Sequence, residues 1–196
     1  MRKVIVSMNV TLDGFMATSN GGLDWHFPHW SDEMSRYADQ QLSRIDTVLL
    51  GRVTYEAMAG YYQSVESNYA ATAEDAAYAF MMNNYNKIVF SKTLSTVDWK
   101  NTRLIRENIA AEVMQLKQQP GRDLVILGSG SIVTVFMELG LIDEYLVWVY
   151  PVILGEGMPF LHGLHDKLDL KLLKTKRFRS GVVVLYYQAL YSCSNK

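Results

Sequence analysis

Two glycines and two serines form a short polar segment between two apolar runs of the chain. The segment is Gly128, Ser129, Gly130 and Ser131, preceded by residues 124–127 and followed by residues 132–139. This order predicts a buried strand, a glycine turn and a helix that Ser131 caps. The N–H groups and the dipole at such a helix start favour a bound anion, typically a phosphate. A tight connection without a ligand explains a lone glycine pair at least as well.

Two further predicted strands end in comparable turns. One turn contains Gly51, Arg52 and Thr54, and the other contains Ser91 and Lys92. In an open α/β sheet, ligands bind at the carboxyl ends of the strands, where all three turns would lie. Arg52 and Lys92 could then supply the charge that a phosphate on a ribose requires, although either residue alone is more simply a solvated surface cation. Together, the three turns predict a site for an elongated phosphorylated nucleotide.

The standard nucleotide and metal motifs fit the chain poorly. Val133 stands where the dinucleotide fingerprint has its third glycine or alanine, and no lysine follows the turn as in a P-loop. The pairs His26/His29 and His162/His165 have a spacing that could hold a metal, but they lie in loops without a cysteine or a clear third ligand. We therefore predict no metal site. No serine–histidine–aspartate or catalytic cysteine arrangement is evident either.

The segment from residue 10 to residue 30 is rich in chain-breaking and aromatic residues. Its glycines and proline predict a long loop without helix or long strand, and long loops in compact domains are often functional. The candidates for a flat substrate pocket in this loop are Asp13, Phe15, Trp25, Phe27 and Trp30. Aromatic rings can line a pocket for a planar ligand, but packing beneath the loop explains them equally well.

Composition limits the class of protein. The chain has 196 residues, of which 49% are hydrophobic and 20% charged, with a formal net charge of -1. These values predict one soluble domain over residues 1–196 and give no electrostatic reason to expect nucleic acid as a partner. Cys193 is the only cysteine, so no intrachain disulfide can form. The apolar runs are too short for a membrane span or a signal peptide, and we expect a cytoplasmic protein.

The alternation of apolar segments and breakers predicts an α/β fold. Strands are expected at residues 4–8, 47–50, 87–91, 102–105, 124–127 and 144–154. Helices are expected at residues 31–43, 108–119 and 132–139, with a short helix after Gly51 and a surface segment at 63–84 that ends in a helix. Residues 168–178 and 182–190 flank a turn and predict an antiparallel hairpin. The resulting sheet is mostly parallel with a late antiparallel edge.

Several motifs, in this order along the chain, resemble the dihydrofolate reductase superfamily. They are the runs TLDGF from Thr11, GRVTYE from Gly51, VFSK from Val89, GSGS from Gly128, GLIDE from Gly140 and PVILGEG from Pro151. More closely, they are similar to the branch named for the C-terminal reductase domain of the bifunctional riboflavin-biosynthesis deaminase/reductase. This resemblance implies a three-layer fold with a central, mostly parallel sheet of about eight strands, an antiparallel C-terminal hairpin and flanking helices.

The resemblance also implies a cofactor, NADPH, lying across the carboxyl ends of the strands. Arg52 and Lys92, with Gly51 and Ser91 in the same turns, would serve the side of the 2′-phosphate. Thr54 and the turn of residues 128–131 would serve the pyrophosphate, and the N-terminal loop would serve the nicotinamide. A homodimer is expected as well, since the late strands carry apolar and aromatic residues.

The chain departs from the folate reductases at the acid that serves the pterin ring. Trp30 stands where that carboxylate is expected, and Val147 stands where a supporting threonine is expected. Asp24 is a weak candidate for a shifted acid. We therefore expect an NADPH-dependent reductase of a small heterocyclic or ribosylamino substrate. The alternatives are a non-catalytic NADPH-binding protein and a true dihydrofolate reductase with a displaced acid.

Overall fold

The described residues of this computed structural model, 1–66, 68, 70–163 and 166–191, form ten strands, five α-helices and one 3₁₀ helix. The strands are β1 (Val4–Thr11), β2 (Phe15–Ala17), β3 (Ile45–Gly51), β4 (Asn86–Phe90), β5 (Thr102–Ile105), β6 (Asp123–Ile126), β7 (Glu144–Tyr150), β8 (Met158–Pro159), β9 (Asp169–Arg177) and β10 (Val183–Leu190). The α-helices are α1 (Asp32–Leu42), α2 (Arg52–Glu66), α3 (Ala73–Asn84), α4 (Ile109–Gln118) and α5 (Gly130–Glu138), and the 3₁₀ helix spans Asp24–His29.

Eight strands form one sheet in the order β5-β4-β3-β6-β1-β7-β10-β9. The strands from β5 to β7 in this order pair in parallel, and β10 pairs antiparallel with both β7 and β9. The remaining strands, β2 and β8, form a small antiparallel ribbon. The predicted mostly parallel sheet of about eight strands with an antiparallel C-terminal hairpin is confirmed.

The central strand β1 divides its side chains between two cores. Val4, Val6 and Met8 belong to a core that also contains residues of α4 and α5, whereas Ile5 belongs to a second core with residues of α1, α2 and α3. A strand covered on both faces needs apolar residues at nearly every position, which explains the apolar run at the N-terminus. Helices on both faces complete the predicted three-layer architecture.

Several predicted boundaries are corrected by the structure. The helix after Gly51 is not short, because α2 continues for 15 residues. The segment of residues 63–84 is not confined to the surface, because Ala79 and Met82 of α3 are buried in the core. Strand β7 ends at Tyr150 rather than at residue 154. The reason is Pro151, which has no N–H group to donate to a sheet.

Helix α5 begins earlier than predicted. Its N-cap position is Ser129 rather than Ser131, because the N–H groups of Ile132 and Val133 both donate to the Ser129 carbonyl. The preceding Gly128 has a φ of 124°, a left-handed conformation that residues with a side chain rarely adopt. The glycine turn is therefore one residue shorter than the sequence pattern indicated.

The predicted loop of residues 10–30 contains more regular structure than expected. Strand β1 extends to Thr11, β2 follows after a turn, and the 3₁₀ helix occupies residues 24–29. The aromatic rings of this helix hold it on the sheet: Trp25 packs edge-on against Tyr150 with ring centroids 5.3 Å apart, and His26 lies 6.0 Å from the same ring. Burial of His26 disfavours its charged form and lowers its pKa below the ordinary value of 6.5.

The hairpin edge of the sheet is apolar and exposed. Leu170, Leu172 and Leu173 of the edge strand β9 are all exposed, as is Leu190 of β10. The expected homodimer stays a prediction. Over the described ranges, no helix is long and apolar enough to cross a membrane. Cys193 and His165 lie outside the described residues.

Replacing His26 with glutamine should make the free energy of unfolding less dependent on pH between pH 7.5 and pH 5. The unfolded chain protonates His26 near pH 6.5, whereas the folded chain protonates it only at a lower pH. The unfolded state therefore binds more protons in this window, and the folded state loses stability as the pH falls through it. Urea unfolding at pH 7.5 and pH 5 should show a smaller loss for His26→Gln than for the wild type. His162→Gln is the control. If His26→Gln loses as much free energy of unfolding between pH 7.5 and pH 5 as the wild type, the lowered pKa of His26 is contradicted.

Candidate active site

The turns predicted to bind a nucleotide lie at the carboxyl ends of neighbouring strands. In the strand register, Gly51 lies opposite Phe90, and Phe90 lies opposite Ile105. The residues that follow these three positions, Arg52, Ser91 and Arg106, therefore emerge at the same level. Since neighbouring strands are about 4.8 Å apart, the three strand ends span about 10 Å, a distance suited to the phosphates of a nucleotide.

The loop after β4 is shaped by two side chains. The Ser91 hydroxyl accepts hydrogen bonds from the N–H groups of Thr93 (3.2 Å) and Leu94 (3.0 Å). Arg106 donates to the carbonyls of Leu94 and Ser95, at 2.8 Å each. Lys92 is exposed at the turn of this loop. Arg106 was not among the predicted site residues, although a basic residue directly after a predicted strand was a visible signal.

Arg52 is held only loosely. Its guanidinium forms an ion pair with Glu56 at 3.1 Å, and both side chains are about half exposed. An exposed pair one helical turn apart contributes little, about 0.3–0.5 kcal/mol. Arg52 is therefore free to exchange this carboxylate for a phosphate.

The turns after β3 and β6 touch each other through their glycines. A Cβ atom on Gly51 would lie 2.5 Å from Ser129 Oγ and 3.0 Å from Ile132 Cγ1. A Cβ atom on Gly128 would lie 3.4 Å from Thr54 Oγ1. The structure thus brings the Gly51 and Gly128 turns, predicted separately, into one surface.

The N-terminus of α5 opens onto this surface without a capping side chain. The Ser129 hydroxyl lies 2.8 Å from the Ser131 hydroxyl and makes no cap hydrogen bond to the helix. The first N–H groups of α5, at Gly130 and Ser131, are those that the dipole makes attractive to an anion. An uncapped helix start, two exposed cations and closely packed glycines fit the phosphates of a nucleotide such as NADPH.

The β2–β8 ribbon covers the other side of the glycine turn. A Cβ atom on Gly130 would lie 3.1 Å from Met16 Sδ and 3.2 Å from the Phe160 carbonyl oxygen. Only glycine allows this close approach of the ribbon. The ribbon therefore closes the turn on the side away from β3.

Asp13 connects two loops beside the ribbon. Its carboxylate accepts hydrogen bonds from the Thr11 hydroxyl (2.6 Å), the Gly155 N–H (2.8 Å) and the Leu154 N–H (3.1 Å). These bonds, the one from Thr11 foremost, lower the pKa of Asp13. Asp13 was predicted in the substrate pocket, but the structure places it outside the cavity lining, where it fixes the loops that flank the site.

A cavity of about 770 Å³ extends between the sheet and the layer of α1 and α2. Residues from the sheet, the 3₁₀ helix and α2 line it, among them Ser7, Asn9, His26, Phe27, Trp30, Met58 and Trp148. The volume lies within the range of small-molecule sites and is sufficient for a planar ring system. Two of the predicted pocket residues, Phe27 and Trp30, line this cavity.

The predicted aromatic residues divide between the cavity and the core. Trp30 packs on Trp148 with ring centroids 5.9 Å apart and an interplanar angle of 33°. Trp25 instead packs on Tyr150 and does not line the cavity, and Phe15 lies in the ribbon. Trp25 Nε1 and the Tyr150 hydroxyl are buried, and within the described part of the chain neither has a hydrogen-bond partner.

No shifted acid reaches the cavity from the described residues that surround Trp30. Asp24 is exposed on the 3₁₀ helix and outside the lining. The lining carboxylates are engaged elsewhere: Glu144 pairs with Lys3 at 2.5 Å, and Asp75 accepts from the Thr72 hydroxyl at 2.7 Å.

The expected partner of the missing acid is also a different residue. Val147, predicted at the position of the supporting threonine, packs against the core of α4 and α5 on the far face of the sheet. Trp148 lies beside Trp30 instead. A pair of indoles therefore occupies the region in which a carboxylate and a hydroxyl were expected.

Sequence reasoning missed the polar residues of β1. Ser7 and Asn9 line the cavity, but the predicted strand ended at residue 8 and was regarded as uniformly apolar. Polar residues at alternate positions within an apolar strand were the available signal. In the residues that the structure describes, no cluster of three histidine, cysteine or carboxylate side chains could hold a metal.

Relatives and solved structures agree with this architecture. The chain is 35% identical to the Bacillus subtilis (strain 168) "Uncharacterized protein YyaP" over 186 residues, covering 95% of this chain and 94% of that protein. It is 30% identical to "Uncharacterized protein YwjB" of the same strain over 188 residues, covering 96% and 99%.

Three solved structures share the fold. A putative riboflavin biosynthesis protein from Shewanella sp. PV-4 has a TM-score of 0.75 at 20% identity, with 96% of this chain and 99% of that chain covered. A Thermotoga maritima deaminase and 5-amino-6-(5-phosphoribosylamino)uracil reductase has a TM-score of 0.64 at 14% identity, with 96% and 57% covered. Enterococcus faecalis dihydrofolate reductase, complexed with NADP(H), has a TM-score of 0.62 at 14% identity, with 95% and 96% covered.

The sequence itself matches the pattern of the RibD C-terminal domain over residues 2–184, nearly the whole chain. The resemblance found in the short motifs is thus confirmed. This chain belongs to the RibD C-terminal domain family.

Proposed function

We propose that the protein is an NADPH-dependent reductase of a small heterocyclic or ribosylamino substrate. The observation that carries the proposal is that the glycine turn after β6 borders an aromatic-lined cavity: Leu127, directly before Gly128, lines the cavity, as does Met16, whose side chain covers Gly130. A reductase needs this arrangement, since the cofactor and the substrate ring must lie side by side. The family is that of the RibD C-terminal domain, and the T. maritima neighbour is named as a deaminase and 5-amino-6-(5-phosphoribosylamino)uracil reductase.

The residues at the carboxyl ends of the strands have distinct roles in this proposal. Arg52 and Lys92 would bind the 2′-phosphate by charge-assisted hydrogen bonds. Thr54 and the N-terminus of α5 would hold the pyrophosphate. When bound, NADPH supplies the hydride. The protein positions the two reactants and excludes water from the space between them.

On the substrate side, Trp30 and Phe27 offer apolar faces to a planar ring. His26 also lines the cavity, and its Nδ1 contacts the Leu23 carbonyl. This contact assigns the proton to Nδ1 and leaves Nε2 as a hydrogen-bond acceptor. Because burial lowers the pKa of His26, the ring is neutral near pH 7. The lining carboxylates are engaged elsewhere, so the proton that completes the reduction comes from water.

A non-catalytic NADPH-binding protein is the second candidate. The observation that favours it is Trp30 in the place of the acid, while the lining carboxylates Asp75 and Glu144 are engaged by Thr72 and Lys3. Such a protein would use the same turns but would lack turnover.

A screen of NADPH consumption tests both candidates. Absorbance at the NADPH band would be followed with pterins, pyrimidines, ribosylaminopyrimidines and small carbonyl compounds. The proposal expects turnover with at least one class. Tight NADPH binding without any turnover would support the second candidate, and absence of NADPH binding would overturn both.

Replacing Arg52 with alanine should weaken NADPH binding and leave NADH binding unchanged. A charge-assisted hydrogen bond is worth about 1.5–3 kcal/mol, which corresponds to a roughly 10- to 150-fold higher Kd. NADH lacks the 2′-phosphate, so its Kd should not change. Fluorescence titration would measure both constants. The control is Arg177→Ala, an exposed arginine of β9 at the opposite side of the sheet. Equal Kd values for NADPH in Arg52→Ala and the wild type would exclude the phosphate assignment.

Replacing Gly51 with alanine should weaken the binding of NADPH and of NADH to a similar extent. The new Cβ would lie 2.5 Å from Ser129 Oγ and 3.0 Å from Ile132 Cγ1, so the Ser129 hydroxyl, in the turn that is proposed to bind the pyrophosphate, would have to move. We expect a Kd about tenfold higher, corresponding to one lost hydrogen bond. Gly60→Ala in α2 is the matched control, since nothing lies within 4 Å of a Cβ atom there. A selective loss of NADPH binding alone would contradict this role.

A further inference from the structure

The floor of the cavity contains a side chain whose polar groups have no partner. Ser7, Asn9 and Thr11 point to the same face of β1, because side chains alternate along a strand. The Ser7 hydroxyl accepts a hydrogen bond from Trp148 Nε1 at 3.3 Å, and the Thr11 hydroxyl donates to Asp13 at 2.6 Å. Asn9 lines the cavity and, within the described part of the chain, its carboxamide makes no hydrogen bond.

Packing does not explain this asparagine. Asparagine is disfavoured in strands, which costs free energy, and the side chain of Asn9 is only partly buried and lines the cavity. An apolar residue at this position would extend the run of β1 without that cost. The carboxamide is therefore available to a ligand.

The position of Asn9 indicates which ligand it would contact. In the register of the two strands, Asn9 lies opposite Trp148, on which Trp30 packs. The carboxamide thus stands at the edge of an aromatic shelf formed by the two indoles. A planar ring on this shelf would direct its polar edge toward Asn9.

We propose that Asn9 is a specificity-determining residue that binds an uncharged edge of the substrate ring. This inference rests on the proposed function, because it takes the cavity as the substrate site. A carboxamide donates and accepts at the same time, so it matches a ring edge with a carbonyl next to an N–H group. A carboxylate accepts only, and it matches a protonated amidine. With Trp30 in the place of the acid, the site selects the neutral edge.

The consequence is discrimination between rings of equal size. A site with a polar group rejects an analogue that leaves this group unpaired more strongly than an apolar pocket rejects an extra atom. Quinazolin-4-one presents the neutral amide edge, and 2,4-diaminoquinazoline presents an amidine edge of similar shape. The wild type should prefer quinazolin-4-one by about tenfold, the value of one hydrogen bond.

Equilibrium binding of these two probes to the cofactor-free protein tests the proposal. Quenching of the tryptophan fluorescence would report binding, since two tryptophans line the cavity. Asn9→Leu should lose the preference, and Asn9→Asp should reverse it in favour of 2,4-diaminoquinazoline. Asn86→Leu, at an exposed asparagine that begins β4, is the control and should behave as the wild type. Circular dichroism would establish that each variant is folded, and Asn9→Ala, which also removes the carboxamide, replaces Asn9→Leu if that variant is not.

Two results would overturn the proposal. One is an unchanged preference in folded Asn9→Leu or in Asn9→Asp. The other is absence of quinazolin-4-one binding to the wild type. A change in the NADPH Kd of Asn9→Leu without a change in probe binding would also assign the residue to the cofactor instead. Because no turnover is measured, failure of the reductase activity leaves this test intact.

Discussion

Parallel pairing in a fixed register is the constraint on which the candidate site depends. Gly51 opposite Phe90 and Phe90 opposite Ile105 bring three strand ends to one level, so that short turns distant in sequence share one edge. Glycine at position 51 then lets the end of β3 touch Ser129. A shift of one residue would turn every side chain of a strand to the other face, so burial on both faces of the sheet protects this geometry.

The same register decides the chemistry of the cavity. It places Trp148, rather than Val147, on the face that Trp30 covers. Each indole is planar, apolar and uncharged, so the pair offers stacking faces to a planar ring but no carboxylate to pair with a protonated ring edge. Ser7 fixes the shelf by accepting from Trp148 Nε1. In the proposed function, the described residues of the cavity would position a ring rather than protonate it.

The sequence allowed prediction of the sheet, because strands covered on both faces require apolar runs that breakers interrupt. The turns at the strand ends were also predictable, because glycine and serine act locally, whereas their role in nucleotide binding stays a prediction. Trp25, Trp30 and Trp148 show what could not be predicted from the sequence. One packs in the core and two form the shelf, yet nothing in their spacing distinguishes them. That distinction depends on register and on tertiary packing, as does the free carboxamide of Asn9.

Two segments near the cavity differ in how firmly they are attached. The turn between β1 and β2 is held by hydrogen bonds through Asp13 to the Gly155 segment. The 3₁₀ helix has no capping side chain and no fully buried residue, and it rests on Tyr150 through the rings of Trp25 and His26. Few buried contacts mean a low free energy of local opening. Of these two segments, the 3₁₀ helix that carries Phe27 is the more easily displaced, and a ring bound beneath it, as the proposed function requires, would contribute contacts that the helix lacks.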